Sequence, residues 1–177
     1  MSKKSALVVI DVQVEAVKDV FNGDLVLDNI NTLLARARGS GTPVVYVQHE
    51  SRKGDGYEVG TPGWEIHPAI SPQKGEPVVY KRSCDSFHQT TLQHELEQRG
   101  INHLVVVGVH TEYCVGTSVR RATTCGYDVT LVSDAHTAEG NEILTAEQVI
   151  AYHNALLDGF RTESYTITVK PTSQITF

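Results

Sequence analysis

A chain of 177 residues with a formal charge of −6 is long enough for one domain with a substantial core. Its acidic balance, the absence of a basic run and the absence of an apolar run of membrane-spanning length exclude nucleic acid and membrane as main partners. The start, Met1-Ser2-Lys3-Lys4-Ser5, carries no signal-peptide pattern, and Cys84, Cys114 and Cys125 lack disulfide or metal spacing, so a cytoplasmic location is expected.

Residues 6–10 are continuously apolar, the pattern of a strand buried on both faces of a parallel sheet, and Asp11 follows them. Val26, Leu27, Ile30, Leu33, Leu34 and Ala37 recur at helical spacing, with Gly39 and Gly41 as the stop. Residues 44–47 read as a second strand. The connection 51–76 is long and holds Gly and Pro, yet it also carries Tyr57, Trp64, Ile66 and His67. That length and aromatic content predict a functional loop folded over the carboxyl ends of the strands. A third strand, 78–80, leads to Lys81. Leu92 and Leu96 mark a helix ended by Gly100. A fourth strand, 104–107, breaks at Gly108 and turns into a helix over 111–124, stopped by Gly126. The fifth strand is 129–132, which leaves Asp134 as a cap or turn residue. Thr145-Ala146-Glu147-Gln148 forms a capping box opening a helix with Val149, Ile150, Leu156 and Leu157 inside and Gly159 after it. Residues 165–169 alternate Thr with apolar residues, as a late strand does. This alternation predicts one doubly wound α/β domain over 1–177, with ligands bound beyond the carboxyl ends of the strands.

In a parallel sheet Asp11, Lys81 and Cys114 emerge on one edge. Each alone has an ordinary explanation: a turn residue, a solvated lysine, a packed thiol. Together they suit covalent acyl transfer, in which a carboxylate moves the thiol proton and an ammonium holds both anions in register. Cys114 at a helix start also feels the positive end of the helix dipole, which favours thiolate. Trp64 and Tyr57 are candidate pocket walls, and Glu112 and Tyr113, just before the thiol, are candidate substrate contacts. Phe87 is expected in the core, Cys84 and Cys125 are expected to be structural, and His110 is expected to contribute backbone and not a base. His49, Asp55 and His67 lack ligand spacing, so no metal is expected. A receiver module needs adjacent acids after the first strand, and only Asp11 stands there. Neither G-x-G-x-x-G nor a Walker loop occurs.

The motifs carry a resemblance. Asp11-Val12-Gln13 resembles the D-x-Q opening of the isochorismatase-like cysteine hydrolases. Lys81-Arg82-Ser83-Cys84-Asp85-Ser86-Phe87 is similar to their K-x-x-x-S-A-F segment, with Asp85 where a small residue is commoner. Gly108-Val109-His110-Thr111-Glu112-Tyr113-Cys114-Val115 resembles their G-x-x-T-x-x-C-V nucleophile turn, and Gly126-Tyr127-Asp128-Val129 and Ser133-Asp134-Ala135 complete the pattern. The resemblance implies a six-stranded parallel sheet with helices on both faces, assembled as homodimers or homotetramers. It implies Asp11 as general base, Lys81 as electrostatic partner, Cys114 as nucleophile and Gln13 as a residue binding near the substrate. It further implies a cis Val109–His110 bond, with the His110 and Cys114 N–H groups as oxyanion hole. The implied activity is cleavage of a C–N bond in a small amide, carbamoyl compound or lactam, with no cofactor. Relatives that cleave a vinyl ether typically carry a small residue in place of Cys114, and a non-catalytic binding protein on this fold is expected to lose a member of the triad.

Overall fold

A computed structural model describes residues 3–177; the expectation drawn from Met1 and Ser2 lies outside them. Strands β1 (Ser5–Ile10), β2 (Val44–His49), β3 (Val78–Lys81), β4 (His103–Val109), β5 (Asp128–Thr137) and β6 (Ile167–Lys170) alternate with helices. These are α1 (Gly23–Ser40), α2 (Leu92–Gln98), α3 (Gly116–Thr124) and α4 (Ala146–Leu157), with β2 and β3 joined by a long loop. Every neighbouring pair is parallel, in the order β3-β2-β1-β4-β5-β6. This is the doubly wound six-stranded sheet that the sequence predicts. Strand order reverses between β1 and β4, which opens a crevice at their carboxyl ends.

The two faces of each strand separate the core into two layers. Ala6, Val8 and Ile10 pack with Val115 and Val119 and with Leu92 and Leu96 of α2. Leu7 and Val9 pack on the other face with Ile30, Leu33 and Leu34 of α1 and with Ile175. Each fully buried aliphatic side chain of this kind contributes roughly 1.5–3 kcal/mol. The predicted stripe of α1 is its buried stripe, and the helix ends at Gly41, whose N–H caps Ala37 and Arg38. The Thr145–Gln148 capping box forms as expected. No helix among the described residues is long and apolar enough to cross a membrane.

Three elements differ from expectation. β5 continues to Thr137, because its pairing with β4 jumps from Leu131↔Val106 to His136↔Gly108. The bulge turns Asp134 toward the carboxyl-terminal segment, where its Oδ1 accepts bonds from the N–H and hydroxyl of Thr172 at 2.8 and 2.7 Å. Asp134 is therefore inside a strand and is not a turn residue. On α4, Leu156 is 44% exposed and only Val149 and Leu157 are buried, because the helix presents a narrower face than its apolar content suggests. The segment 111–124 is not one helix: Thr111–Val115 is a wide π turn, and α3 begins at Gly116. Gly108 is needed where β4 ends. Its φ is +135°, and a Cβ there would lie 2.1 Å from the Ile10 carbonyl oxygen.

Candidate active site

The crevice is assembled from three strand ends. Asp11 follows β1 in a left-handed backbone conformation (φ 52°), of order 1 kcal/mol for a non-glycine residue. Bonds from its N–H to Val47 O and from Gln13 N–H to Asp11 O hold it, at 2.9 and 2.8 Å. Lys81 ends β3, two strands from β1, a gap of roughly 10 Å at the usual strand spacing. A long side chain is required to cross it. Its Nζ lies 2.6 Å from Asp11 Oδ2, 3.1 Å from Cys114 Sγ, 2.9 Å from the Ser83 carbonyl and 3.2 Å from His49 Nδ1. Four acceptors thus surround an ammonium with three hydrogens. The Lys81 side chain is fully buried and that of Asp11 nearly so. Burial opposes the Lys81 charge, but the Asp11 carboxylate and the Cys114 sulfur outweigh it and raise its pKa above the ordinary lysine value.

Cys114 lies in the π turn, where Val115 N–H reaches back to His110 O at 3.1 Å and Gly116 N–H to Thr111 O. Burial and then the adjacent Asp11 carboxylate push its thiol up, against the pull of Lys81. The pull of a helix end toward thiolate, expected from the sequence, is opposed here by desolvation and a like charge. The sulfur, the Asp11 carboxylate and a His49 ring nitrogen lie within 4.8 Å of one another. Asp11 Oδ1 is buried without a hydrogen-bond partner. The Val109–His110 peptide bond is cis, as the resemblance implies.

A cavity of about 190 Å³ opens over the sulfur, lined by Asp11, His49, Tyr57 and Ala16 on one side and by Val109, His110, Tyr113, Cys114 and Cys84 on the other. The 51–76 loop lies against the site and contributes Tyr57 to this lining. Its backbone docks on the segment after β1, with Val14 N–H to Glu65 O at 2.9 Å, His67 N–H to Val12 O at 2.9 Å and a Gln13–Ile66 bridge. Tyr57 and Tyr113 reach the cavity. Trp64 does not: its ring stacks on Tyr80 at 6.0 Å, while its carbonyl accepts from both Gln13 and Gln48. Gln13 is fully buried, and its amide is spent on His49 O, His49 N–H and Trp64 O, so it pins the loop instead of meeting a substrate. Glu112 lies beside the cavity and not in its lining, with Oε1 accepting from Glu139 N–H at 3.3 Å. Phe87 packs in the core as expected. Cys84 is exposed and faces the cavity, so it is not a purely structural thiol.

His49 and His136 were not legible as site residues. His49 is half-buried, and burial and then the Lys81 charge hold it neutral. Its Nδ1 accepts from Lys81, which leaves the hydrogen on Nε2. Asp55 is exposed and His67 Nδ1 caps Ala69 N–H, so neither joins it as a ligand set. The Lys81 ammonium contacts one atom of each of the clustered donors Asp11, His49 and Cys114, which weighs against a divalent ion among them. His136, fully buried in β5, bonds Thr111 Oγ1 at 2.7 Å and Asn154 Oδ1 at 2.9 Å, and the Asn154 amide is itself fixed on Ser133 O. Nε2 therefore donates to Asn154, and Nδ1 accepts from Thr111. The nucleophile turn is tied in this way through β5 to α4.

Burial depresses the pKa of His136 from 6.5 to about 4, and likewise that of His103, which is held between Ser5 and Thr130 at the far end of the sheet. A depressed histidine pKa means that the unfolded chain binds protons first as pH falls. The stability it contributes is complete above pH 6.5 and is lost as pH drops toward 4. The expected slope is about 1.4 kcal/mol per pH unit for each histidine. Urea unfolding between pH 7 and pH 5 should show it, and His103→Gln should flatten it.

A thiol, a carboxylate and an ammonium thus meet beneath a cavity at the switch point of a doubly wound α/β sheet. Residues 5–147 match the isochorismatase domain model. The chain is 40% identical over 134 residues to streptothricin hydrolase of Streptomyces noursei, covering 74% of this chain and 49% of that protein. It is 34% identical over 169 residues to the isochorismatase family protein YddQ of Bacillus subtilis, covering 88% and 92%. The crystal structure of an isochorismatase from Pseudomonas putida superposes with a TM-score of 0.89 at 30% identity, over 98% of this chain and 92% of that one. The chain belongs to the isochorismatase family. It spans about half the length of the streptothricin hydrolases it matches.

Proposed function

We propose that the protein is a cysteine amidohydrolase that cleaves a C–N bond of a small amide, carbamoyl compound or lactam. The observation that carries this is the single buried ammonium of Lys81 touching both the Asp11 carboxylate and the Cys114 sulfur under a cavity. Asp11 takes the Cys114 proton as the sulfur adds to the substrate carbonyl and forms a C–S bond. Negative charge moves onto the carbonyl oxygen, and the N–H groups of His110 and Cys114 receive it. Protonated Asp11 gives its proton to the departing nitrogen as the C–N bond breaks, leaving a thioester. Asp11 then deprotonates a water, which adds to the thioester, and the sulfur leaves and recovers its proton. Lys81 balances the charge of Asp11 and of the sulfur at each stage. The presence of Cys114 favours this chemistry over vinyl-ether hydrolysis, and retention of all three residues favours an enzyme over a binding protein.

A panel of small amides, carbamoyl amines and lactams, assayed for amine or ammonia release, tests the proposal. Turnover of at least one compound is expected, with an acyl adduct on the Cys114 peptide in single-turnover mass spectrometry. Turnover without any adduct, in a variant lacking the sulfur, overturns the covalent route. Activity is also expected to survive exhaustive chelation, because Lys81 contacts each of the clustered donors. Loss on chelation with recovery on adding one divalent ion would contradict this.

A further inference from the structure

The cavity over Cys114 measures about 190 Å³, against roughly 300–1,000 Å³ for pockets that take drug-sized ligands. Beyond Asp11 and Cys114 its wall is Ala16, Val109, Tyr57, Tyr113, the Cys84 thiol and two histidines. Among the described residues, no lysine or arginine lines it. Lys81 lies behind that wall with its side chain fully buried and its three hydrogens already outnumbered by acceptors. The remaining nitrogenous group on the wall besides His49 is the His110 ring, and its Nε2 faces the Glu139 carboxylate at 3.5 Å. Glu139 in turn is tethered by its N–H to Glu112. Apart from the paired Lys81, the charged groups named around the cavity are acidic. Burial first, and then the charges of Glu139, Asp11 and Glu15, push the Tyr57 hydroxyl up to about 12. A carboxylate entering this space would shed its water and meet no free cation.

We infer that the part of the substrate entering the Cys114 cavity is short, largely apolar and free of negative charge, and that amides with a carboxylate close to the scissile carbonyl are excluded. This rests on Cys114 being the nucleophile, and it selects within the proposed function. Short-chain carboxamides without a carboxylate, or the carbonyl end of a larger molecule that carries none there, fit; carbamoyl amino acids and ureido acids do not.

The test compares iodoacetamide with iodoacetate, two alkylating agents of nearly equal size that differ in charge. Their rate constants at Cys114 are read by peptide mass spectrometry on the intact wild-type protein and divided by those for 2-mercaptoethanol. The amide-to-acid ratio at Cys114 is expected to exceed the reference ratio by about tenfold or more. A Cys114 that reacts with iodoacetamide at a ratio equal to or below the reference overturns the inference and leaves the nucleophile standing. A Cys114 inert to both reagents while Cys84 reacts removes the accessible nucleophile, and the inference falls with it. In the substrate panel, faster turnover of N-carbamoylglycine than of any neutral amide of similar size also overturns the inference.

Discussion

Turnover by Cys114→Ala is expected to fall to background, a loss of about 10⁴-fold or more, with thermal unfolding close to wild type. The sulfur is half-buried beside a cavity, so its removal enlarges that cavity without breaking the sheet. Cys114→Ser is the sharper variant. It keeps an acceptor for Lys81 and nearly the same volume, yet an alcohol is far harder to ionise than a thiol. Rates near background are expected for it as well. A serine or alanine variant with normal turnover would refute the covalent route.

Asp11→Asn is expected to lower kcat by about 10²–10⁴-fold while KM changes little, because the proton shuttle acts in the transition state and not in binding. The same change removes the counterion of a buried ammonium. Breaking a buried pair from one side costs about 3–5 kcal/mol, so a lower unfolding midpoint should accompany the lost rate. The two effects separate by measurement: stability is read from urea unfolding, and rate at saturating substrate on protein shown to be folded. A variant that only raises KM would reassign Asp11 from the chemistry to substrate binding.

The parallel sheet was legible because strands buried on both faces leave continuous apolar runs, and α1 because its stripe recurs at helical spacing. The far half of β5 was not legible. Ser133 and Asp134 look like a turn, and only the offset pairing at Gly108 and a partner thirty-eight residues away at Thr172 keep them in a strand. At the candidate site, strand ends singled out Asp11, Lys81 and Cys114. His49 and His136 escaped because each is recruited across the sheet, by Lys81 and by Thr111 with Asn154, and no local spacing announces such partners. Trp64 was misjudged for the same reason. An aromatic residue in a loop says that something is to be covered, and here it covers Tyr80.

The Lys81 ammonium, at the end of β3, gathers groups from the end of β2 and from beyond β1 and β4, contributed by residues 49, 11 and 114. No fragment of the chain holds more than part of that set, and a slip of any one strand by a single residue sends its side chain to the opposite face. In a nascent or partly unfolded chain the thiol sits apart from Asp11 and Lys81 and titrates as an ordinary cysteine. The full set of contacts forms only when all four strands are in register, so its presence reports the native alignment of the sheet.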